Sequence, residues 1–112
     1  MFGRKKVTLR NLRDNQGIRY LTASLLSDGT LKIEGQDLGE GVERVFGPNN
    51  CEYEWSYTIQ PPDVLALASA LGDGGNVLFA LRKRFSGDDA ADLKQFMDEH
   101  GIRYAFWSRV GD

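Results

Sequence analysis

The fold class of this chain is decided by residues 25–33, LLSDGTLKI, which predict a β-hairpin. The dipeptide Asp28-Gly29 supplies the positive φ angles that a tight hairpin turn requires, because glycine has no Cβ to clash. Beyond the turn, apolar and charged residues alternate, so that one face of the returning strand is apolar and the other is charged. The apolar positions are Leu31 and Ile33, and the charged positions are Lys32 and Glu34.

Strand patterns extend on both sides of this hairpin. Residues 7–12 alternate, residues 13–17 form a turn cluster, and residues 18–26 are rich in strand formers. Residues 52–59 alternate strictly and predict a half-buried strand with an aromatic face. We interpret that face, Tyr53, Trp55 and Tyr57, as core beneath helices. Glu52 and Glu54 would then lie on the open face of the sheet, together with Trp107 and Arg109 of the last strand.

Between these strands, residues 37–46 carry apolar residues at helical spacing: Leu38, Val42, Val45 and Phe46. Gly39 and Gly41 weaken such a helix by about 1 kcal/mol each relative to alanine. We therefore expect a short helical turn that ends at Gly47-Pro48.

Three longer helices follow. Pro61-Pro62-Asp63 begins the first and Gly72 ends it, because proline suits the first helical position and glycine the left-handed cap. After a linker at residues 73–75, Asn76 caps the second helix, which runs through Phe85. The third helix follows residues 86–89 and runs to His100, and residues 102–110 form the last strand. The buried stripes of these helices are Val64, Leu65, Leu67, Ala68 and Leu71, then Leu78, Leu81 and Phe85, then Leu93, Phe96 and Met97.

The order β-β-β-(short α)-β-α-α-α-β predicts a single α+β domain over residues 1–112, with residues 1–6 flexible. We expect a mostly antiparallel sheet with the three main helices packed on one face and the last strand returning to the same sheet. A single cysteine, Cys51, cannot form an internal disulfide, which suits a reducing compartment. The chain shows no signal peptide and no apolar run near the ~20 residues of a membrane span, so we expect a soluble cytoplasmic protein without membrane contact.

No catalytic or cofactor motif is recognised in the sequence. His100 stands at a predicted helix end, and acidic neighbours would disfavour a thiolate at Cys51. Asp37, Glu40 and Glu43 stand at the spacing of one helical face, but the regular calcium loop is absent. The glycines of residues 35–41 match no phosphate loop. We therefore expect a protein that is not an enzyme and that binds no cofactor and no metal.

The strongest functional feature is the acidic, glycine-punctuated segment of residues 34–54. We expect it to contact another protein, such as a toxin or a defence nuclease with a basic site. The residues assigned to this surface are Asp37, Glu40, Glu43, Glu52 and Glu54, with Trp107 as an anchor.

Three alternatives to this hypothesis stay open. The acidic residues could only keep the chain soluble. Asp37, Glu40 and Glu43 could be the carboxylates of a small hydrolase or transferase, which predicts a cleft that holds at least two of them. The basic N-terminal segment could contact nucleic acid, although an isoelectric point near 5.4 argues against this partner because dedicated nucleic-acid binders are usually basic. Its cations are Arg4, Lys5, Lys6, Arg10 and Arg13, joined by Arg82, Lys83 and Arg84.

Three stretches together resemble a group of small uncharacterised bacterial proteins: GQDLG at residues 35–39 followed by VE at 42–43, then YEW at 53–55, and finally HGIRYAFW at 100–107. The resemblance spans about residues 31–107. That group has no established activity, so the resemblance implies no catalytic residue. In size, charge and fold class the chain is also similar to the immunity proteins of bacterial toxin systems, which implies an inhibitory, partner-binding role.

Overall fold

The fold is α+β, with a five-stranded antiparallel sheet and helices packed on it. A computed structural model describes residues 5–72 and 75–111. The strands are β1 Lys5–Asp14, β2 Gly17–Leu25, β3 Leu31–Leu38, β4 Glu52–Ile59 and β5 Ala105–Gly111. The helices are α1 Glu40–Phe46, α2 Pro61–Ala70, α3 Val77–Arg84 and α4 Leu93–Glu99, with a 3-10 helix at Gly87–Asp92 before α4. The predicted fold class and order of elements are confirmed.

The strands lie in chain order, β1-β2-β3-β4-β5, and each neighbouring pair is antiparallel. The last strand returns to this sheet as predicted, and it pairs with β4 as an edge strand. A bulge between Thr8 and Arg10 shifts the register of β1 against β2. In the expected flexible segment of residues 1–6, residues 1–4 lie outside the described part, and Lys5 and Lys6 begin β1.

The predicted hairpin is confirmed, with a loop that is longer than a two-residue turn. Leu25 pairs with Leu31, and the Leu26 amide donates to the Thr30 carbonyl at 2.8 Å. Of the dipeptide Asp28-Gly29, only Gly29 has a positive φ, 91°. The Asp28 carboxylate instead accepts a hydrogen bond from the Thr30 amide at 2.9 Å, and this side-chain contact helps to close the loop.

The helical prediction for residues 37–46 is wrong at its start, because β3 continues to Leu38. Asp37 pairs with Arg19 of β2 and with Tyr53 of β4, and this two-sided pairing satisfies backbone groups that a single helical turn would leave open. Asp37 therefore does not share a helical face with Glu40 and Glu43. In α1 only Val42 is buried, whereas Val45 and Phe46, predicted on the same apolar side, are exposed.

The later helices agree closely with the sequence. The Asn76 side chain caps α3 by accepting the Phe79 amide at 3.0 Å, and Gly101 follows α4 with a φ of 67°. The third helix, however, begins as the 3-10 helix, and β5 begins at Ala105 instead of residue 102. Of the predicted linker at residues 73–75, residues 73 and 74 lie outside the described part.

One face of the sheet forms the core with the helices. Core side chains from the strands and helices form one cluster: Leu9, Leu21, Ala23, Leu31, Ile33, Tyr57, Ile59, Val64, Leu67, Leu78, Leu81, Phe85, Leu93, Phe96 and Met97. Two residues of the stripe predicted for the first long helix also differ from their predicted burial. Leu65 is 70% exposed, and Leu71 only packs against the margin of the cluster. Tyr53 also lies outside the cluster and stacks between Phe46 and Trp55, with ring centroids at 5.1 and 5.2 Å.

Candidate functional site

The opposite face of the sheet carries the candidate site. Side chains alternate between the two faces of each strand, and the register aligns the strands across the sheet. Residues on the side away from the core therefore form rows across β3, β4 and β5. We define the open-face patch as Glu34, Glu52, Glu54, Trp107 and Arg109. As expected from the sequence, Glu52, Glu54, Trp107 and Arg109 share this face.

Arg109 organises the carboxylates of the open-face patch. Its Nη2 donates to Glu54 Oε1 at 2.6 Å and to Glu52 Oε1 at 3.2 Å. Glu52 Oε2 accepts a further hydrogen bond from Gln36 Nε2 at 2.7 Å. The hydrogen bond from Arg109 holds the pKa of Glu54 below its ordinary value, so Glu54 is ionised at neutral pH. The patch carries three carboxylates and one guanidinium, which leaves it acidic.

Trp107 stands beside these carboxylates with 51% of its surface exposed. Ser56 separates it from Glu34 in the same row, because Ser56 pairs with both residues. A shallow groove of about 670 Å³ runs along this face and includes Glu34, Glu54 and Trp107 in its lining. Lys6 and Lys32 line the same groove one row of the sheet beyond Glu34 and Trp107, because Ser24 pairs with both lysines. The groove therefore has an acidic, aromatic end and a basic end.

The other three predicted contact residues lie elsewhere. Asp37 points to the helix side of the sheet, because it is three residues beyond Glu34 in the same strand. Glu40 and Glu43 lie on α1, where Glu43 Oε2 accepts a hydrogen bond from Cys51 Sγ at 3.4 Å. The six residues assigned from the sequence therefore do not form one surface. The structure brings together Glu52, Glu54 and Trp107.

Asp37 lines a second groove, of about 430 Å³, between the helix side of the sheet and the residues that precede and begin α4. Burial raises its pKa, and the nearby guanidinium groups of Arg10 and Arg19 oppose part of that rise. Within residues 5–72 and 75–111, Asp37 Oδ1 and Arg10 Nε are buried without a hydrogen-bond partner. Neither Glu40 nor Glu43 lines this groove, so it does not hold the carboxylate pair that an enzyme of the predicted kind requires.

His100, the side chain considered for acid–base chemistry, has structural contacts. The centroid of the His100 ring lies 4.1 Å from that of the Phe96 ring, and the His100 Nδ1 is 2.9 Å from the Phe96 carbonyl oxygen. These contacts fix the C-terminal end of α4. In the part of the chain that the structure describes, no three His, Cys, Asp or Glu residues are grouped as metal ligands would be.

Two residues of the open-face patch, Glu34 and Arg109, were not assigned to the contact surface from the sequence, although Arg109 was expected on the same face. The period-two pattern that places Lys32 and Glu34 on one face of the strand would have identified Glu34. The cations of the basic N-terminal segment lie on both faces of the sheet: Lys6 lines the open-face groove, and Arg10 lines the groove on the helix side. Arg4 lies outside the described residues.

None of the helices described in residues 5–72 and 75–111 has the length and apolar character needed to cross a membrane. Comparison of the chain with models of protein families, with curated proteins and with solved structures finds no match.

Proposed function

We propose that this protein is a non-enzymatic protein-binding module and that its contact surface is the open-face patch. The observation that carries the proposal is the position of Trp107, which is half exposed on a sheet face next to carboxylates that Arg109 holds in place. Tryptophan is enriched among residues that dominate binding energy, and its large apolar surface favours a partner that covers it.

The shape of the surface favours a protein over a small ligand. The open-face groove is shallow and spans several strands, whereas small-molecule sites enclose most of the surface of their ligand. The two hydrogen bonds from Arg109 restrict Glu52 and Glu54 before a partner arrives, which lowers the entropic cost of ordering them on binding.

The charge of the open-face patch favours a partner with a basic surface. Glu34, Glu52 and Glu54 outnumber the single cation Arg109, and complementary charge increases the rate of association. The same carboxylates repel phosphate groups, which disfavours nucleic acid at this end of the groove. The narrower form of the proposal is an inhibitor or immunity protein that covers the basic site of a toxin or nuclease.

Affinity capture from the native host, followed by binding kinetics with the purified partner, tests this proposal. The variant Glu34→Lys should slow association, and the rate for the wild-type protein should fall as the salt concentration rises. Glu40→Lys is the matched control, because Glu40 is an exposed acid on α1 outside the open-face patch. A partner that responds equally to both substitutions, or to neither, would contradict the assignment of this surface.

A further inference from the structure

The two edges of the sheet differ in how they are protected against pairing with another strand. The edge strand β1 carries a bulge between Thr8 and Arg10, and α3 and the 3-10 helix pack against it. Bulges, charges and covering elements are the usual means by which proteins block strand addition. Four cations and one carboxylate further mark this edge strand: Lys5, Lys6, Arg10, Arg13 and Asp14.

The opposite edge strand, β5, has little of this protection. Every residue from Ala105 to Val110 is exposed, and Arg109 is the single charged side chain in the strand. Three large apolar side chains are exposed on its two faces: Phe106 at 52%, Trp107 at 51% and Val110 at 39%. Within the described residues β5 pairs with β4 alone, so its outer backbone edge is open to a further strand.

The sequence of β5 is self-complementary about Ser108. In an antiparallel pair, residues that stand opposite each other point to the same face of the sheet. A two-fold axis that relates two copies of β5 and is perpendicular to the sheet must therefore pass between two copies of the same residue. An axis at Ser108 places Phe106 opposite Val110 of the second copy on the helix side. It also places Trp107 opposite Arg109 of the second copy on the open face.

Other registers lose these contacts. An axis at Arg109 would place two guanidinium groups directly opposite each other, which is destabilising. An axis at Trp107 would place Phe106 opposite Ser108, and Val110 opposite Tyr104, which lies before the start of β5. The axis at Ser108 pairs both apolar side chains of the helix side, and it sets each guanidinium against an aromatic ring, where cation–π attraction favours it.

We propose that two copies of this chain associate through β5 in antiparallel register, with the two-fold axis at Ser108. The two sheets then form one continuous ten-stranded sheet with the helices of both copies on the same side. This inference goes beyond the proposed function, because its partner is a second copy and its contact is the edge of β5, which includes Trp107 and Arg109 of the open-face patch. A seven-residue edge is small beside standard interfaces of about 1,600 Å², so we expect a reversible dimer.

Sedimentation of charge variants tests the pairing of Phe106 with Val110. We expect the wild-type chain to pass from monomer to dimer as its concentration rises. Phe106→Lys and Val110→Glu should each be monomeric, because each leaves a charge against an apolar side chain. An equimolar mixture should recover a dimer, because lysine at residue 106 of one copy then faces glutamate at residue 110 of the other. A wild-type chain that stays monomeric up to millimolar concentration would overturn the proposal.

Cross-linking at the axis tests the register. In a Cys51→Ser background, Ser108→Cys places two thiols directly opposite each other, at a Cβ separation of about 5 Å. Oxidised glutathione should then produce a covalent dimer. Ala105→Cys is the control, because the two thiols would stand about 20 Å apart at 3.4 Å per residue. Equal cross-linking of both variants would exclude this register. Phe106→Lys and Val110→Glu change side chains on the helix side of the sheet and leave those of the open-face patch intact. If these variants bind a heterologous partner as the wild-type chain does, the proposed function stands whether or not the chain forms a dimer.

Discussion

Trp55 lies directly over Gly35. The two residues are partners in the pairing of β3 with β4, and a Cβ at Gly35 would come within 2.2 Å of the indole ring. The indole also stacks on Tyr53, at 5.2 Å between ring centroids, so the aromatic row of β4 is fixed on the helix side. Because a slip of one residue would reverse both faces of the strand, this contact also determines that Glu52 and Glu54 point to the open face.

We expect Gly35→Ala to destabilise the protein by about 1–3 kcal/mol, since an added methyl group would force the indole out of its position. Urea unfolding followed by tryptophan fluorescence measures the change. Gly41→Ala is the control, because its Cβ would meet its nearest atom, the Gln16 carbonyl oxygen, at an ordinary 3.5 Å and alanine favours α1. An equal loss in both variants would show that the Trp55 contact does not constrain residue 35.

The core of the helical layer is tested by two leucines of α2 that are two residues apart. Leu67 is fully buried, so Leu67→Ala should cost about 2–5 kcal/mol of unfolding free energy. Leu65 is exposed, so Leu65→Ala should change stability by less than about 0.5 kcal/mol. Chemical denaturation of both variants checks this. A large loss of unfolding free energy in Leu65→Ala would show that α2 packs a different face against the sheet.

The buried position of Asp37 predicts a specific pH dependence of stability. Burial raises its pKa in the folded state, with Arg10 and Arg19 opposing. A carboxyl with a raised folded pKa contributes stability below its unfolded pKa, about 3.9, and that contribution is lost as the pH rises through the folded pKa. Asp37→Asn has no charge to bury. The free energy of unfolding of this variant, relative to that of the wild-type protein, should therefore increase as the pH rises from about 4 to neutral.

Urea titrations of both proteins across this pH range measure the difference. Glu40→Gln serves as the control, because Glu40 is an exposed acid of the same segment. Parallel pH profiles for Asp37→Asn and the wild-type protein would show that the Asp37 carboxylate is ionised without cost. A variant that loses stability relative to the wild-type protein as the pH rises would contradict the sign of the predicted effect.

Local patterns were sufficient to predict most of the fold. The alternation in residues 52–59 predicted the two faces of β4, and Asn76 and Gly101 predicted helix ends. The error that matters for the candidate site lies where long-range pairing overrides local spacing. Asp37 stands at helical spacing from Glu40, but pairing with β2 and β4 keeps it in a strand.

The candidate site was predictable only in part for the same reason. A count of acids in residues 34–54 does not show which carboxylates face which side of the sheet. That division requires the end of β3, and the sequence pattern placed this end too early. The exposure of β5 on both faces depends on its position at the edge of the sheet, which no local pattern in residues 105–111 encodes.

Trp107 offers the most direct measurement of the proposed function. The affinity of the captured partner is measured for the wild-type protein, for Trp107→Ala and for Phe79→Ala, a control aromatic residue of α3 that is 48% exposed. We predict that Trp107→Ala costs about 2 kcal/mol or more of binding free energy, roughly a thirtyfold rise in Kd, and that Phe79→Ala leaves Kd unchanged. A partner that binds all three proteins with the same Kd would contradict the assignment of the open-face patch as the contact surface.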